Sequence, residues 1–218
     1  ALQSAGAEIT YVPVDASGRV DPAAVGGAIR DTTVLISVMH ANNETGMIQP
    51  IEEISAIARE RGIVMHTDAV QSVGKIPTKV RELGADLLSL SGHKIHAPKG
   101  VGALYIRKGT KLVSFMTGGS HERKRRAGTE NVPGIVGLGA AARLAGERLP
   151  EMESRIAALR DRLERQVLSQ ISGVRVNGSG PRLPNITNLS FEKLEGEAAI
   201  IALDLEGVAA STGSACSS

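Results

Sequence analysis

The chain has 218 residues, 42% of them hydrophobic, and its 25 Lys and Arg residues nearly balance its 23 Asp and Glu residues, for a formal net charge of +2. This balance argues against a nucleic-acid-binding or membrane-surface protein, and no apolar run reaches the roughly 18 residues that a membrane-spanning helix needs. The single cysteine excludes an internal disulfide, which predicts a reducing, cytoplasmic compartment and a thiol that is either inert in a core or free and reactive.

Both ends of the chain suggest a piece of a longer protein. The first residues, ALQSAGAEI, resemble the end of a helix, and the last residues directly follow a stretch rich in Ser and Gly. We therefore expect a fragment, so the lack of a signal or transit peptide says nothing about the whole protein.

Strand and helix signals alternate through the first part of the chain. The nearly continuous apolar run 33–39 (TVLISVM) predicts a parallel strand buried on both faces. Pro50 then opens a helix with isoleucines at one-turn spacing, and Gly62 is its expected C-cap. Further strands are predicted at 63–66 and 86–90, with a short helix at 78–83 between them. This order predicts an α/β fold with a mainly parallel, doubly wound sheet that binds ligands at the carboxyl ends of its strands.

The rest of the chain predicts a smaller domain. Residues 133–171 are patterned as helix, with a break at Pro150. Short apolar runs follow at 174–177, 186–191 and 208–210, and a further helix is predicted at 195–205. We therefore divide the chain into a large domain, residues 1–149, and the beginning of a small α+β domain, residues 150–218.

The loop after the 86–90 strand carries Ser91, His93 and Lys94. A lysine in this position can form a Schiff base with a carbonyl cofactor, and the neighbouring hydroxyl and imidazole can hold a phosphate. A single lysine after a strand is more often a solvated surface residue, so the chemical interpretation depends on the residues at the ends of the other strands.

Asp68 follows the neighbouring predicted strand, and Gln71 lies three residues further on. The ring of pyridoxal 5'-phosphate (PLP) withdraws electrons only while its pyridine nitrogen stays protonated, and a buried carboxylate keeps it so. The alternative for Asp68 is a helix N-cap. Because one helix and one strand separate Asp68 from Lys94, both side chains are expected at the same edge of the sheet.

Two further polar segments have both a chemical and a structural interpretation. His40, Asn42 and Asn43 follow the first strand, where the amides can contact a ring hydroxyl and an amino-acid carboxylate or simply form a turn. The basic run 123–126 (RKRR) stands alone in a nearly neutral chain. It therefore favours an anion site or a solvated loop over a nucleic-acid patch.

The only cysteine, Cys216, lies in the segment STGSACSS. Small polar neighbours favour a mobile, exposed loop, whereas inert cysteines more often lie among large apolar residues. A free thiol has a pKa near 8.5, so a reactive Cys216 needs a group that deprotonates it.

The segments HTDAVQSVGKIP, SGHKIHAPKGVGALY, RAGTENV and STGSACSS, in this order, resemble the NifS/IscS group of cysteine desulfurases, within the class V aminotransferase family. The resemblance covers essentially the whole chain, and the cysteine loop is similar to that of the group with a long mobile loop. It implies the PLP-dependent transferase fold type I, usually as a homodimer. It also implies conversion of L-cysteine to L-alanine, with the sulfur left as a persulfide on Cys216 for an iron–sulfur scaffold or another sulfur-acceptor protein.

The same resemblance implies roles for individual residues. Lys94 would bind PLP covalently, and Asp68 would pair with the pyridine nitrogen. The remaining cofactor contacts would be Gln71 and Asn43 to the ring hydroxyl, Ser91 and His93 to the phosphate, and Thr129 to the phosphate of the neighbouring subunit. No metal ligand set is expected, apart from transient contact of the Cys216 persulfide with an iron–sulfur cluster.

Two other functions stay open. A related class V aminotransferase would share Lys94 and Asp68 but has no need for Cys216 on a mobile loop. The second is a non-catalytic role as a binding partner. By the resemblance, a ring-stacking histidine and a phosphate loop lie before residue 1, and a substrate-binding arginine lies after residue 218. The chain by itself is therefore expected to be inactive.

Overall fold

The computed structural model describes residues 2–213, which contain one large and one small sheet. The large sheet has four strands in the spatial order β1 to β4: β1 (Leu35–Met39), β2 (Val64–Asp68), β3 (Leu87–Ser91) and β4 (Gly102–Ile106). β1, β2 and β3 are parallel, and β4 is antiparallel to β3. The mainly parallel sheet is therefore confirmed, whereas β4 was not predicted from the sequence.

The helices, in chain order, are α1 (Pro22–Gly27), α2 (Ile51–Glu60), α3 (Val80–Leu83), α4 (Val132–Glu147), α5 (Leu149–Glu151), α6 (Ala157–Gln170) and α7 (Gly196–Leu205). α2 connects β1 to β2, and α3 connects β2 to β3, as predicted. α4 ends at Glu147, and a π-helical turn, Met152–Ile156, joins α5 to α6. The predicted break near Pro150 is thus confirmed, while the division into two domains stays a prediction.

The small sheet pairs β5 (Val174–Val176) with β6 (Leu189–Phe191) in antiparallel orientation. Both strands lie within predicted apolar runs. The third run, 208–210, forms no strand in the described part of the chain. No strand among residues 2–213 lies beside this run to pair with it.

The main core lies between α2 and one face of the large sheet. Ile51 and Ile54 repeat at one-turn spacing, and both are essentially fully buried against Met65 and Leu88. Burying a side chain of this size contributes about 1.5–3 kcal/mol. Acidic residues in the first turn of α2 and Arg59 in its last turn complement the helix dipole. The core thus fixes the strands whose carboxyl ends carry the polar loops.

The opposite face of β1 is not covered by residues 2–213. Leu35 is 40% exposed and Met39 is 39% exposed, whereas Ile36 between them is buried. The prediction of a strand buried on both faces is therefore wrong for the described residues, because no described helix packs on this side. No helix among residues 2–213 is long and apolar enough to span a membrane.

A second, smaller cluster packs the loop after β3 against α4. Ile95 and Ala97 of the loop contact Ala141, with Ala145 at the edge of the cluster. Gly74 makes this approach possible, because a Cβ atom there would lie 2.9 Å from the Ala145 Cβ, and its φ of +72° disfavours other residues. α4 therefore supports the loop that carries Lys94.

Candidate active site

Three strand ends meet at one edge of the large sheet. Met39 of β1 is paired with Asp68 of β2, and Asp68 is paired with Ser89 of β3. Beyond the strands, the His40 amide donates to the Asp68 carbonyl at 2.8 Å, and the Ala69 amide donates to the Ser89 carbonyl at 2.9 Å. The loops that follow these strands therefore begin side by side, where parallel α/β sheets bind ligands.

The lysine loop is a single 3₁₀ turn, Gly92–Ile95, that directly follows β3. Lys94 is half-buried, while its neighbour Ile95 is only 5% exposed and anchors the turn in the second core cluster. Just before Lys94, the Ser91 Oγ and His93 Nδ1 atoms lie 2.7 Å apart. The turn after β3 therefore carries Lys94 together with a hydroxyl–imidazole pair.

Asp68 forms a local hydrogen bond in the turn that follows β2, where the structural alternative expected a helix N-cap. Its Oδ1 atom accepts a hydrogen bond from the Val70 amide at 2.8 Å and so caps the turn after β2. One carboxylate oxygen therefore fixes the turn at the end of β2. Gln71, in the same turn, is half-buried.

The two adjacent asparagines have different surroundings. Asn42 Oδ1 accepts hydrogen bonds from the amides of Glu44 and Thr45, both at 2.9 Å, and from the Thr45 hydroxyl at 3.2 Å. Asn42 is thus the turn former that the structural alternative predicted. Asn43 is half-buried at the start of this turn.

Thr129 is exposed in the loop that precedes α4. Within residues 2–213, no hydrogen bond joins it to Ser91, His93 or Lys94.

The basic run 123–126 in the same loop is exposed as well, and Arg123 and Lys124 have positive φ angles of 57° and 65°. The basic run 123–126 is thus at the surface, and its role as an anion site or a solvated loop stays a prediction.

Cys216 lies outside the described residues, so its position relative to this edge stays a prediction. The other predicted site residues all lie within the described part. Asn43, Asp68 and Gln71, together with Ser91, His93 and Lys94, belong to the three neighbouring loops, and Thr129 belongs to a separate one.

Two histidine contacts near this edge were not predicted from the sequence. His40 is only 4% exposed, and its Nδ1 atom lies 2.9 Å from the Ser72 Oγ. His66 joins three strands, with its Nδ1 atom 2.8 Å from the Ser37 Oγ and its Nε2 atom 3.2 Å from the Ser89 Oγ. Burial lowers the pKa of His66, partly opposed by the Asp68 charge. Period-two alternation identifies the face of His66, but only the register identifies its partners.

The donor set fits PLP. This cofactor presents a protonated ring nitrogen, an aldehyde and a phosphate. Asp68 offers a carboxylate oxygen for the nitrogen, Lys94 an amine for the aldehyde, and Ser91 with His93 hydrogen-bonding groups for the phosphate. An α/β sheet with these groups at the carboxyl edge of its parallel strands is the arrangement of a PLP-dependent transferase.

The chain belongs to the aminotransferase class-V family, which it matches over residues 1–218. Enzymes of this family are PLP-dependent, so the expected fold and cofactor are confirmed. The cysteine desulfurase IscS of Dictyoglomus turgidum is 56% identical over 218 residues, covering 100% of this chain and 55% of that protein.

Solved structures agree with this assignment. A structure described as a NifS-like protein superposes with a TM-score of 0.90 at 38% identity, covering 95% of this chain and 57% of that one. SspA in complex with cysteine gives a TM-score of 0.81 at 38% identity, covering 99% of this chain and 59% of that one. The chain spans about half the length of the curated relatives it matches.

Proposed function

We propose that this chain forms part of a cysteine desulfurase that converts L-cysteine to L-alanine and leaves the sulfur as a persulfide on Cys216. The observation that carries the proposal is the placement of Asp68 and the Ser91–Lys94 loop on adjacent strand ends. Support also comes from the 56% identity to a cysteine desulfurase and from the similarity to a protein solved with cysteine.

Each residue of the edge has a distinct task in this proposal. When bound, PLP supplies an electron sink for the bonds around the substrate α-carbon. Lys94 Nζ holds the cofactor and moves protons to and from the substrate. Asp68 Oδ2 keeps the ring nitrogen protonated. The other proposed cofactor contacts are Asn43, Gln71, Ser91 and His93.

Sulfur transfer is the task of Cys216. Its thiolate forms an S–S bond with the substrate sulfur while the substrate C–S bond breaks. The carbon fragment keeps the bonding electron pair and takes up protons to become alanine. Electrons balance without an external oxidant, and only deprotonation of the thiol is required beforehand.

We further propose that the whole protein is a cytoplasmic homodimer that passes sulfur to an iron–sulfur scaffold or another acceptor protein. Thr129 would complete the phosphate site of the neighbouring subunit. Its exposed position supports this role, as does the exposure of Val113 and Phe115, which are 92% and 100% exposed. Since the chain spans about half the length of its relatives, residues 1–218 alone are proposed to be inactive.

The attachment site is tested by borohydride reduction of the full-length holoenzyme, followed by peptide mapping. The label is expected on Lys94. Lys75 is the internal competitor, because it is half-buried and burial lowers the pKa of its amine, which increases the fraction present in the neutral, nucleophilic form. Label on Lys75 in place of Lys94 would contradict the assignment of Lys94 as the cofactor lysine.

The reaction is tested with Cys216→Ser in the full-length protein. Serine keeps the size and polarity of the loop but stays protonated near neutral pH, so the nucleophile is lost. Addition of cysteine should still change the absorption of the cofactor, while alanine and sulfide production falls to background. A class V aminotransferase would tolerate this change, so near-normal turnover would favour that alternative.

A further inference from the structure

We propose that His40 is a positioning residue for the cofactor edge: its buried ring ties the end of β1 to the turn after β2 and thereby holds Asp68 and Gln71 in place. This role rests on the proposed function only in that PLP is the group being positioned. From the sequence alone, His40 was expected at a strand end with no assigned task.

His40 makes three contacts that together join three segments. Its amide donates to the Asp68 carbonyl at 2.8 Å, and its carbonyl accepts from the Gln49 amide at 2.9 Å. Its Nδ1 atom lies 2.9 Å from the Ser72 Oγ, and Ser72 is fully buried. His40 therefore contacts the residues at both ends of the Asp68–Ser72 turn.

The direction of the side-chain hydrogen bond follows from Ser72. The Ser72 hydroxyl donates to the Ala69 carbonyl at 3.2 Å, so its hydrogen is already used. With the Ser72 hydrogen assigned to that bond, the His40 tautomer protonated at Nδ1 donates to the Ser72 oxygen. Burial lowers the pKa of His40 to about 4, so the ring is neutral at physiological pH and does not act as a cationic phosphate ligand.

The turn that His40 holds contains the proposed cofactor contacts. Within it, the amides of Ser72 and Val73 both donate to the Ala69 carbonyl at 3.1 Å, and Val70 donates to the Asp68 carboxylate. Gln71 lies between these anchored residues. Loss of the His40 ring contact leaves the Ser72 end of the turn without this anchor. A small displacement of Asp68 or Gln71 would then weaken their contacts with the cofactor.

A residue that only fills the core would have a different signature. Its replacement would lower the stability of the apoprotein but leave the cofactor environment of the folded protein unchanged. A positioning residue alters the cofactor affinity and absorption of the protein that does fold. These two readouts therefore separate the roles, and neither depends on turnover.

The test uses full-length His40→Leu, His40→Asn and Ser72→Ala, each prepared as apoprotein and titrated with PLP. Leucine keeps the volume but has no donor, whereas asparagine presents an amide close to the position of Nδ1. His40→Leu and Ser72→Ala are expected to weaken PLP binding roughly 10-fold and to shift the absorption of the bound cofactor. His40→Asn is expected to recover most of the affinity and the wild-type absorption.

Both single variants remove the His40–Ser72 hydrogen bond, and Ser72→Ala also removes the hydrogen bond to the Ala69 carbonyl. The double variant His40→Leu/Ser72→Ala should therefore bind PLP no more weakly than whichever single variant has the lower PLP affinity. Unchanged PLP affinity and absorption in Ser72→Ala and in folded His40→Leu would overturn the proposal. If His40→Leu does not fold, the pair Ser72→Ala and His40→Asn still decides it. A wild-type protein that binds PLP but makes no alanine would contradict the desulfurase proposal alone.

Discussion

Arg182 binds Glu164 through two hydrogen bonds of 2.8 Å, one from each terminal guanidinium nitrogen to each carboxylate oxygen. The side chains are only 11% and 10% exposed. The Thr187 hydroxyl also donates to Glu164, at 2.6 Å. This ion pair joins α6 to the segment that precedes β6.

The same segment contacts the turn that carries Asn43. The Leu183 amide donates to the Gly46 carbonyl at 2.8 Å, and the Ile48 amide donates to the Pro181 carbonyl at 2.9 Å. Leu183 is fully buried in this contact. The ion pair therefore anchors a segment that supports one of the proposed cofactor loops.

Replacing Glu164 by Gln should lower the free energy of unfolding by roughly 3 kcal/mol, because it leaves the largely buried Arg182 charge without the carboxylate to which it is hydrogen-bonded. Denaturant unfolding of the full-length apoprotein measures the effect. Glu147→Gln is the matched control, since Glu147 forms an exposed pair with Arg143 at 2.7 Å. Its expected effect is below about 0.5 kcal/mol. Equal losses in the two variants would contradict the special role of the buried pair.

The contribution of Glu164 should depend on pH. The hydrogen bond from Arg182 is the main cause that holds the pKa of Glu164 below its usual value of 4.5. A carboxyl group with a lowered folded pKa stabilises the protein above the unfolded pKa and loses this contribution as the pH falls through the folded pKa. The stability difference between wild type and Glu164→Gln should be constant from about pH 8 to 6 and shrink below about pH 4.5. A difference that grows on acidification would refute this.

Asp68→Asn in the full-length protein should lower kcat on the order of 10²–10³-fold and change the absorption of bound PLP, because a neutral amide no longer favours the protonated ring nitrogen. Asp68→Glu retains the charge and serves as the control. Asp68→Glu should lower kcat less than Asp68→Asn does, and the absorption of its bound PLP should remain closer to that of the wild type. Turnover and the absorption spectrum are measured together. Near-normal turnover of Asp68→Asn would remove Asp68 from the site.

Thr129 is predicted to act across a dimer interface. Hybrids that combine a Thr129→Ala subunit with a Lys94→Ala subunit contain one intact cofactor lysine, and its neighbouring subunit supplies an intact Thr129. These hybrids should retain PLP at that lysine more tightly than the Thr129→Ala homodimer does. If PLP retention depends only on the Thr129 of the same subunit, the hybrids will behave like that homodimer.

The sequence determined the elements whose signals are local. The isoleucine spacing after Pro50 specified α2, and short apolar runs located β1, β2 and β3 to within a few residues. Because successive parallel strands end at the same edge, the sequence also predicted that Asp68 and the lysine loop lie side by side. Each of these inferences needs only the period of the pattern and the order of the elements.

The tertiary structure decided contacts between residues that are distant in the chain. His40 reaches Ser72 and Glu164 reaches Arg182 through pairings that no local pattern encodes. The exposed outer face of β1 likewise depends on which helix packs there, not on the apolar composition of the strand. Side-chain partners of this kind are fixed by register and packing, because a hydrogen bond requires two atoms within about 3 Å, whatever their separation in sequence.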